Sequence, residues 1–113
     1  MGIASGKAWV VFGGIRGKKL LIEKGDIIII PAGLAHKCSK TTAEFLCVGG
    51  YPGGAEYDIN VGTREELKKA EPRLKKLPKP ALDPVFGKEG CAVKSLIVSL
   101  KFFAANAFRI SRL

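Results

Sequence analysis

Two stretches near the start of the chain have the residue content of β-strands joined by a tight turn. Residues 7–12 are rich in β-branched and aromatic side chains, and residues 18–23 resume this pattern. The segment 13–17 between them is rich in glycine, which suits a hairpin with at least one residue at positive φ. Trp9 and Phe12 stand three positions apart, so they are expected to face opposite sides of the first strand. We therefore predict two antiparallel strands, with at least one of these rings in the core.

The next apolar stretch, residues 27–30, consists of consecutive isoleucines and is followed by Pro31. A continuous β-branched run favours a strand that is covered on both faces, so this strand is expected to be the best buried. Pro31 and Gly33 then predict a tight turn. Residues 43–49 predict a further strand, which a glycine-rich loop over 49–54 ends. Four strands at spacings of about ten residues indicate a barrel or a sandwich.

The second half of the chain changes character. Thr63 and Glu66 have the spacing of a capping box, which predicts a helix to about Leu74. Three prolines within residues 75–84 predict an extended segment over the surface of the core. Residues 91–113 mix apolar and basic side chains at helical spacings, which favours a helix packed on the barrel or on a second subunit. The alternatives are weak contact of a basic amphipathic helix with an anionic membrane surface, or a shifted reading frame.

Length and composition indicate one ordinary globular domain. The chain has 113 residues, of which 47% are hydrophobic, and a mean hydropathy of +0.15, which excludes a disordered chain and allows one modest core. Within that domain, residues 1–62 are expected to form the barrel core. Residues 63–90 supply the short helix and the proline-rich surface segment, and 91–113 form an apolar and basic tail.

The charge of the chain and its cysteine content limit the partners, the cellular location and the metal sites that we expect. The net charge of +9 favours contact with polyanions, but no aromatic residues are interleaved with the basic runs and no recognition motif is present, which argues against nucleic acid. Cys38, Cys47 and Cys91 are an odd number without CxxC spacing, which predicts free thiols and a cytoplasmic location. His36 is the only histidine, so a structural zinc site would require these four side chains to converge by chance.

One constellation points to a family. Gly25, Pro31, Gly33 and His36 fit the second cupin motif, which is a glycine, five residues, a proline, one residue, a glycine, two residues and a histidine. The proline and the second glycine reverse the chain so that the histidine points inward. Residues 33–37, 48–53 and 83–87 also look like the uncharacterised bacterial YjlB-type cupins. The chain thus resembles the cupin superfamily over about residues 1–90.

The resemblance implies an all-β protein with a small cupin-like (RmlC-like) barrel, a double-stranded β-helix or jelly roll, that binds a small molecule and often a divalent metal. The barrel is expected to be incomplete, because the first motif would end at Gly6 and its histidines and glutamate would precede Met1. His36 is then the one metal ligand expected. Since an open catalytic metal site usually needs about three protein ligands, intact metal catalysis is not expected and no catalytic residue is assigned.

The remaining predictions concern ligand and partner. Tyr51 and Tyr57 follow the glycine-rich loop and are placed to close the mouth of a pocket with their phenol groups, or else to pack the loop on the barrel. His36 is expected to line that pocket, the alternative being an ordinary hydrogen-bonded residue. An open sheet edge predicts a homodimer. The leading hypothesis is a small-molecule-binding or metal-binding barrel with an incomplete metal site, and the alternative is a metal-free structural or interaction protein completed by a partner chain.

Overall fold

A computed structural model describes residues 1–90 and 108–111 of the chain. These residues fall into two compact units. The first contains residues 1–30, 34–50 and 108–111, and the second contains residues 31–33 and 51–90. The first unit holds all of the described strands and the second holds the described α-helix, so the fold is mostly β, as predicted.

The first unit consists of two antiparallel sheets. The strands are β1 (Gly2–Ser5), β2 (Lys7–Phe12), β3 (Lys18–Glu23), β4 (Asp26–Ile29), β5 (His36–Thr41), β6 (Leu46–Val48) and β7 (Phe108–Ser111). Sheet A has the strand order β6-β1-β4-β7, and sheet B has the order β3-β2-β5.

The hydrophobic core lies against one face of β2. Ala8, Val10 and Phe12 alternate along this strand and are buried, together with Ile3, Ile22 and Ile28 from neighbouring strands. Full burial of one such aliphatic side chain contributes about 1.5–3 kcal/mol. Trp9 lies on the opposite face and is 40% exposed, which confirms the prediction that Trp9 and Phe12 face opposite sides.

The predicted hairpin is present with the expected bounds. Strands β2 and β3 pair continuously from Lys7 opposite Glu23 to Phe12 opposite Lys18. Gly13 and Gly14 in the connection both have positive φ, at 93° and 78°. Glycine reaches this region without the steric cost that a Cβ would bring, and this allows the reversal.

The isoleucine run forms a strand, but its burial differs from the prediction. Strand β4 begins at Asp26 and ends at Ile29, and its residues alternate between buried and half-buried. Asp26 is buried, and its Oδ2 accepts a hydrogen bond from the Glu23 backbone N–H at 2.9 Å, which offsets the cost of burying that polar atom. The four isoleucines are therefore not equally covered, although β4 has a neighbour on each side in sheet A.

Three strands in the first half of the chain differ from the sequence-based prediction. The strand predicted over residues 43–49 is present as the shorter β6, and β1 and β5 were not predicted. All six residues of β5 are exposed, so this strand carries no hydrophobic alternation to indicate it. It is a strand because its backbone forms an antiparallel hydrogen-bonded ladder with β2.

The second unit begins its helix where the capping box predicts. Helix α1 (Arg64–Lys76) has Thr63 as N-cap, with Thr63 Oγ1 accepting from the Glu66 N–H at 3.2 Å and Glu66 Oε2 accepting from the Thr63 N–H at 2.8 Å. The helix continues two residues past the predicted end and contains Pro72. Beyond it, the proline-containing segment has no regular structure before an isolated bridge between Asp83 and Gly87.

The prediction of a C-terminal helix is wrong for residues 108–111. These residues form β7, which pairs with β4 and places Ile110 opposite Ile27. Ladder hydrogen bonds with β4 therefore decide the conformation there, against the helical spacing of the apolar residues. The rest of the tail, with its suggested membrane contact, lies outside the described residues. In the part of the chain that the structure describes, no helix is both long and apolar enough to cross a bilayer.

Candidate functional site

The segment from Gly25 to His36 has the backbone conformations that its glycines suggest. Gly25 has φ 91° and Gly33 has φ 86°, and both values favour glycine. The Gly25 N–H donates to the Ile3 carbonyl at 2.9 Å, which joins the turn before β4 to β1. At Gly33 a Cβ would lie 3.1 Å from Leu74 Cδ1, so space is also restricted there.

His36 is the first residue of β5 and lies opposite Phe12 of β2. Its ring stacks on that of Phe12, with centroids 6.2 Å apart and planes at 23°. Residues directly opposite in an antiparallel ladder share a face of the sheet, and Phe12 belongs to the core. His36 therefore lies on the core-facing side of sheet B, while its own position at the edge strand leaves it exposed.

Two further polar side chains share this side. Cys38 lies opposite Val10, and Lys18 lies opposite Phe12 on the other neighbouring strand. We call His36, Cys38 and Lys18 the inner rim. It offers one imidazole, one thiol and one ammonium group, which are able to bind a small polar or anionic molecule.

The inner rim does not fit a complete metal centre. Within residues 1–90 and 108–111, no group of three or more histidine, cysteine, aspartate or glutamate side chains is arranged to hold an ion. Cys38 and Cys47 are exposed free thiols, as predicted, and Cys91 lies outside the described residues. His36 and Cys38 alone supply fewer donors than zinc or a related ion normally takes.

Tyr51 and Tyr57 form a separate feature in the second unit. Their rings stack with centroids 5.5 Å apart, and both are exposed. The 3₁₀ turn Pro52–Gly54 lies between them, with Gly53 at φ 64°. Asp58 follows and binds Arg73 of helix α1 through two hydrogen bonds, at 2.9 and 3.3 Å. The structure brings the two tyrosines together with each other, whereas His36 belongs to the first unit.

Sequence reasoning missed an arrangement on the other face of sheet B. Trp9 lies opposite Leu21 and Lys40, while Val11 lies opposite Lys19 and Lys37. The Lys19 ammonium lies over the Trp9 ring, 5.3 Å from its centroid. We call Trp9, Lys19, Lys37 and Lys40 the lysine face. The alternation in β2 was a signal for part of it, but β5 had no such signal.

Comparison with known proteins gives one informative similarity. No family model matches the chain, and no solved structure does. The chain is similar to YjlB. It is 38% identical over 82 residues to the uncharacterised protein YjlB of Bacillus subtilis (strain 168). That region is 73% of this chain and 50% of YjlB, so the chain spans about half the length of the curated relative that it matches. The similarity to YjlB predicted from the sequence is confirmed, and the name of YjlB states no activity.

Proposed function

We propose that this chain forms one wall of a small cupin-type β-barrel that binds a small polar molecule, with His36 contacting the ligand. The observation that carries the proposal is the pairing of His36 with Phe12, which puts the imidazole on the core-facing side of sheet B. The cupin spacing of Gly25, Pro31, Gly33 and His36 and the antiparallel β fold support it.

A divalent metal has a limited place in this proposal. Because the described inner rim does not fit a complete metal centre, we derive no catalytic step through a metal and name no catalytic residue. His36 would supply one ligand of an incomplete site, which predicts weak binding that is easily reversed by a chelator.

The stacked tyrosines and the exposed thiols extend the proposal to the ligand and to the cellular compartment. Tyr51 and Tyr57 expose phenol groups beside a glycine-rich turn, which supports a role in hydrogen bonding to a polar ligand. The exposed thiols of Cys38 and Cys47 support a reducing compartment and thus the cytoplasm.

The test uses the fact that His36 is the only histidine. In protein labelled with ¹⁵N-histidine, every imidazole signal reports on this side chain while zinc chloride, simple carboxylates, sugar phosphates and nucleosides are added in turn. We expect at least one small-molecule class to shift these signals saturably. Calorimetry should show that His36→Ala abolishes this binding and that Glu44→Gln, in the exposed turn after β5, retains it.

Two outcomes would contradict the proposal. One is an imidazole signal that none of these additions perturbs. The other is equal binding by the His36→Ala variant and the unchanged protein. Zinc that remains bound in stoichiometric amount after dialysis against a chelator would contradict the weak, incomplete metal site.

A second candidate is a metal-free structural or interaction protein completed by a second copy. The observation in its favour is strand β6, which lies at one edge of sheet A in the described residues and whose Leu46 and Val48 are 56% and 62% exposed. Unpaired backbone groups and apolar side chains on one edge favour pairing with another strand.

Light scattering after size-exclusion chromatography is expected to show a dimer, and Val48→Lys is expected to convert it to a monomer. Val61→Lys, which alters an exposed valine outside any strand, should leave it dimeric, and a wild-type monomer at all concentrations would eliminate this candidate.

A further inference from the structure

We infer that the lysine face of sheet B binds single-stranded nucleic acid, with Trp9 stacking on a base and Lys19, Lys37 and Lys40 contacting phosphates. This inference goes beyond the proposed small-molecule function, because the lysine face and His36 lie on opposite sides of the same sheet. It also reverses the expectation from sequence that nucleic acid is not a partner.

The register of sheet B brings these residues together. Lys40 of β5 lies opposite Trp9 of the central strand, and Lys37 and Lys19 lie on either side of Val11. Neighbouring strands are about 4.8 Å apart, so the strands that carry Lys19 and Lys37 lie about 10 Å apart across β2. The result is one aromatic ring on the central strand with ammonium groups carried by the strands on both sides.

The charge on this surface is not neutralised by nearby carboxylates. Glu23 is the one acidic residue within strands β2, β3 and β5, and its carboxylate pairs with the Lys7 ammonium at 3.4 Å. Among the described residues, Lys19, Lys37 and Lys40 form no ion pair with a carboxylate, and all three are exposed. The lysine face therefore complements a polyanion.

Trp9 indicates which class of polyanion the lysine face binds. Its side chain is 40% exposed, so part of the ring is open to a partner. The headgroups of an anionic membrane and the carboxylates of an acidic peptide offer no flat ring on which it could stack. A nucleic acid base does, and stacking on an aromatic ring beside basic side chains is the usual arrangement for single strands. Lys19 now lies over Trp9, but an exposed cation–π contact is weaker than a base stack and is displaceable.

The first experiment uses the intrinsic fluorescence of Trp9, which is the only tryptophan of the chain. Titration with a 20-nucleotide oligothymidylate is expected to quench this fluorescence saturably, and the anisotropy of a fluorescein-labelled copy should rise with the same dissociation constant. Each phosphate contact to a single strand contributes about −0.7 to the slope of log K against log salt. Three lysine contacts therefore predict a slope of about −2.

Substitutions on the lysine face and on helix α1 test where the oligonucleotide binds. Lys37→Gln combined with Lys40→Gln is expected to weaken binding about tenfold or more at low salt and to reduce the slope by about 1.4. Trp9→Leu should weaken binding more than Trp9→Phe while keeping the slope. The matched control is Lys68→Gln combined with Lys69→Gln on helix α1, which removes the same charge and should preserve both affinity and slope. Far-UV circular dichroism and the thermal midpoint establish that each variant is folded.

Several outcomes would overturn the inference. One is a loss of affinity in the control pair on α1 as large as that in the β5 pair, and another is binding that leaves Trp9 fluorescence unchanged, since either result would place the oligonucleotide elsewhere on this basic protein. Absence of binding at low salt would also overturn it. Binding to phosphatidylserine vesicles without binding to oligothymidylate would indicate a membrane surface, and equal affinity for polyglutamate would indicate an acidic protein partner.

Discussion

His36 and Phe12 face each other across the β2–β5 ladder, with their ring centroids 6.2 Å apart. Phe12 is part of the buried core, whereas His36 is exposed. The imidazole thus lies at the border between core and solvent, on the side of sheet B opposite to Trp9. Because the two faces carry different chemistry, a variant on one face is expected to leave the function proposed for the other face intact.

Truncation of Phe12 tests how far the core supports the site. Phe12 is 5% exposed, so Phe12→Ala removes a buried ring and should lower the free energy of unfolding by about 3–5 kcal/mol. Urea denaturation measures this change. Ile15→Ala, in the exposed hairpin connection, should stay within about 0.5 kcal/mol of the unchanged protein. An equally small effect of Phe12→Ala would contradict the core described above.

Alanine substitutions at Gly6 and Gly14 distinguish the cost of steric crowding from the cost of an unfavourable backbone conformation. Both have positive φ, at 68° and 78°, so alanine is strained at either position. A Cβ at Gly6 would lie 2.7 Å from Phe45 Cα, whereas a Cβ at Gly14 would meet nothing within 4 Å. We expect Gly6→Ala to reduce the free energy of unfolding by about 1–3 kcal/mol more than Gly14→Ala, because backbone must move. Equal effects in thermal denaturation would show that the turn at Gly6 has more room.

The charge of Glu66 makes helix α1 sensitive to acid. Hydrogen bonds from the backbone N–H groups of Thr63, Val61 and Gly62 hold the pKa of the Glu66 carboxyl below its ordinary value. A lowered folded pKa means that the carboxylate stabilises the fold above the unfolded pKa of about 4.3, and that this is lost as pH falls through the folded pKa. Glu66→Gln should therefore lower the helical circular dichroism signal at neutral pH.

The pH profile of that variant is the decisive measurement. The difference in thermal midpoint between the unchanged protein and Glu66→Gln should shrink as the pH falls through the lowered pKa of the folded state, and it should disappear below that pKa, where the carboxyl is protonated in both states. Glu65→Gln, in the same first turn of α1, is the matched control and should show a smaller dependence. A constant difference from neutral to acid pH would contradict the role of the charge.

Pro72 is expected to weaken the helix that contains it. Proline within a helix removes one backbone hydrogen bond and costs about 3 kcal/mol relative to alanine, and Pro72 is the ninth of the 13 residues of α1. Pro72→Ala should therefore make the ellipticity at the helical minimum more negative. It should also raise the temperature at which that signal is lost. Lys69→Ala, at an exposed position of the same helix, should change both quantities much less.

Local chemistry made part of the fold predictable. The hairpin of β2 and β3 followed from a β-branched pattern around glycines, and the start of α1 followed from Thr63 and Glu66. In each case the hydrogen bonds that create the structure join residues close in the chain. The opposite orientations of Trp9 and Phe12 were predictable for the same reason, because alternation is a property of a single strand.

Long-range pairing decided the rest. Strand β5 has no apolar alternation, and β7 lies in a stretch whose spacing favours a helix, so neither is evident before the partner strand is known. The same holds for both proposed sites. The sequence by itself determined that His36 follows the turn at Pro31 and Gly33 and that Trp9 and Phe12 face opposite sides of their strand. Only the register of β5 against β2 decided that His36 stacks on Phe12 and that Lys37 and Lys40 join Trp9, because a shift of one residue would send every side chain of β5 to the other face.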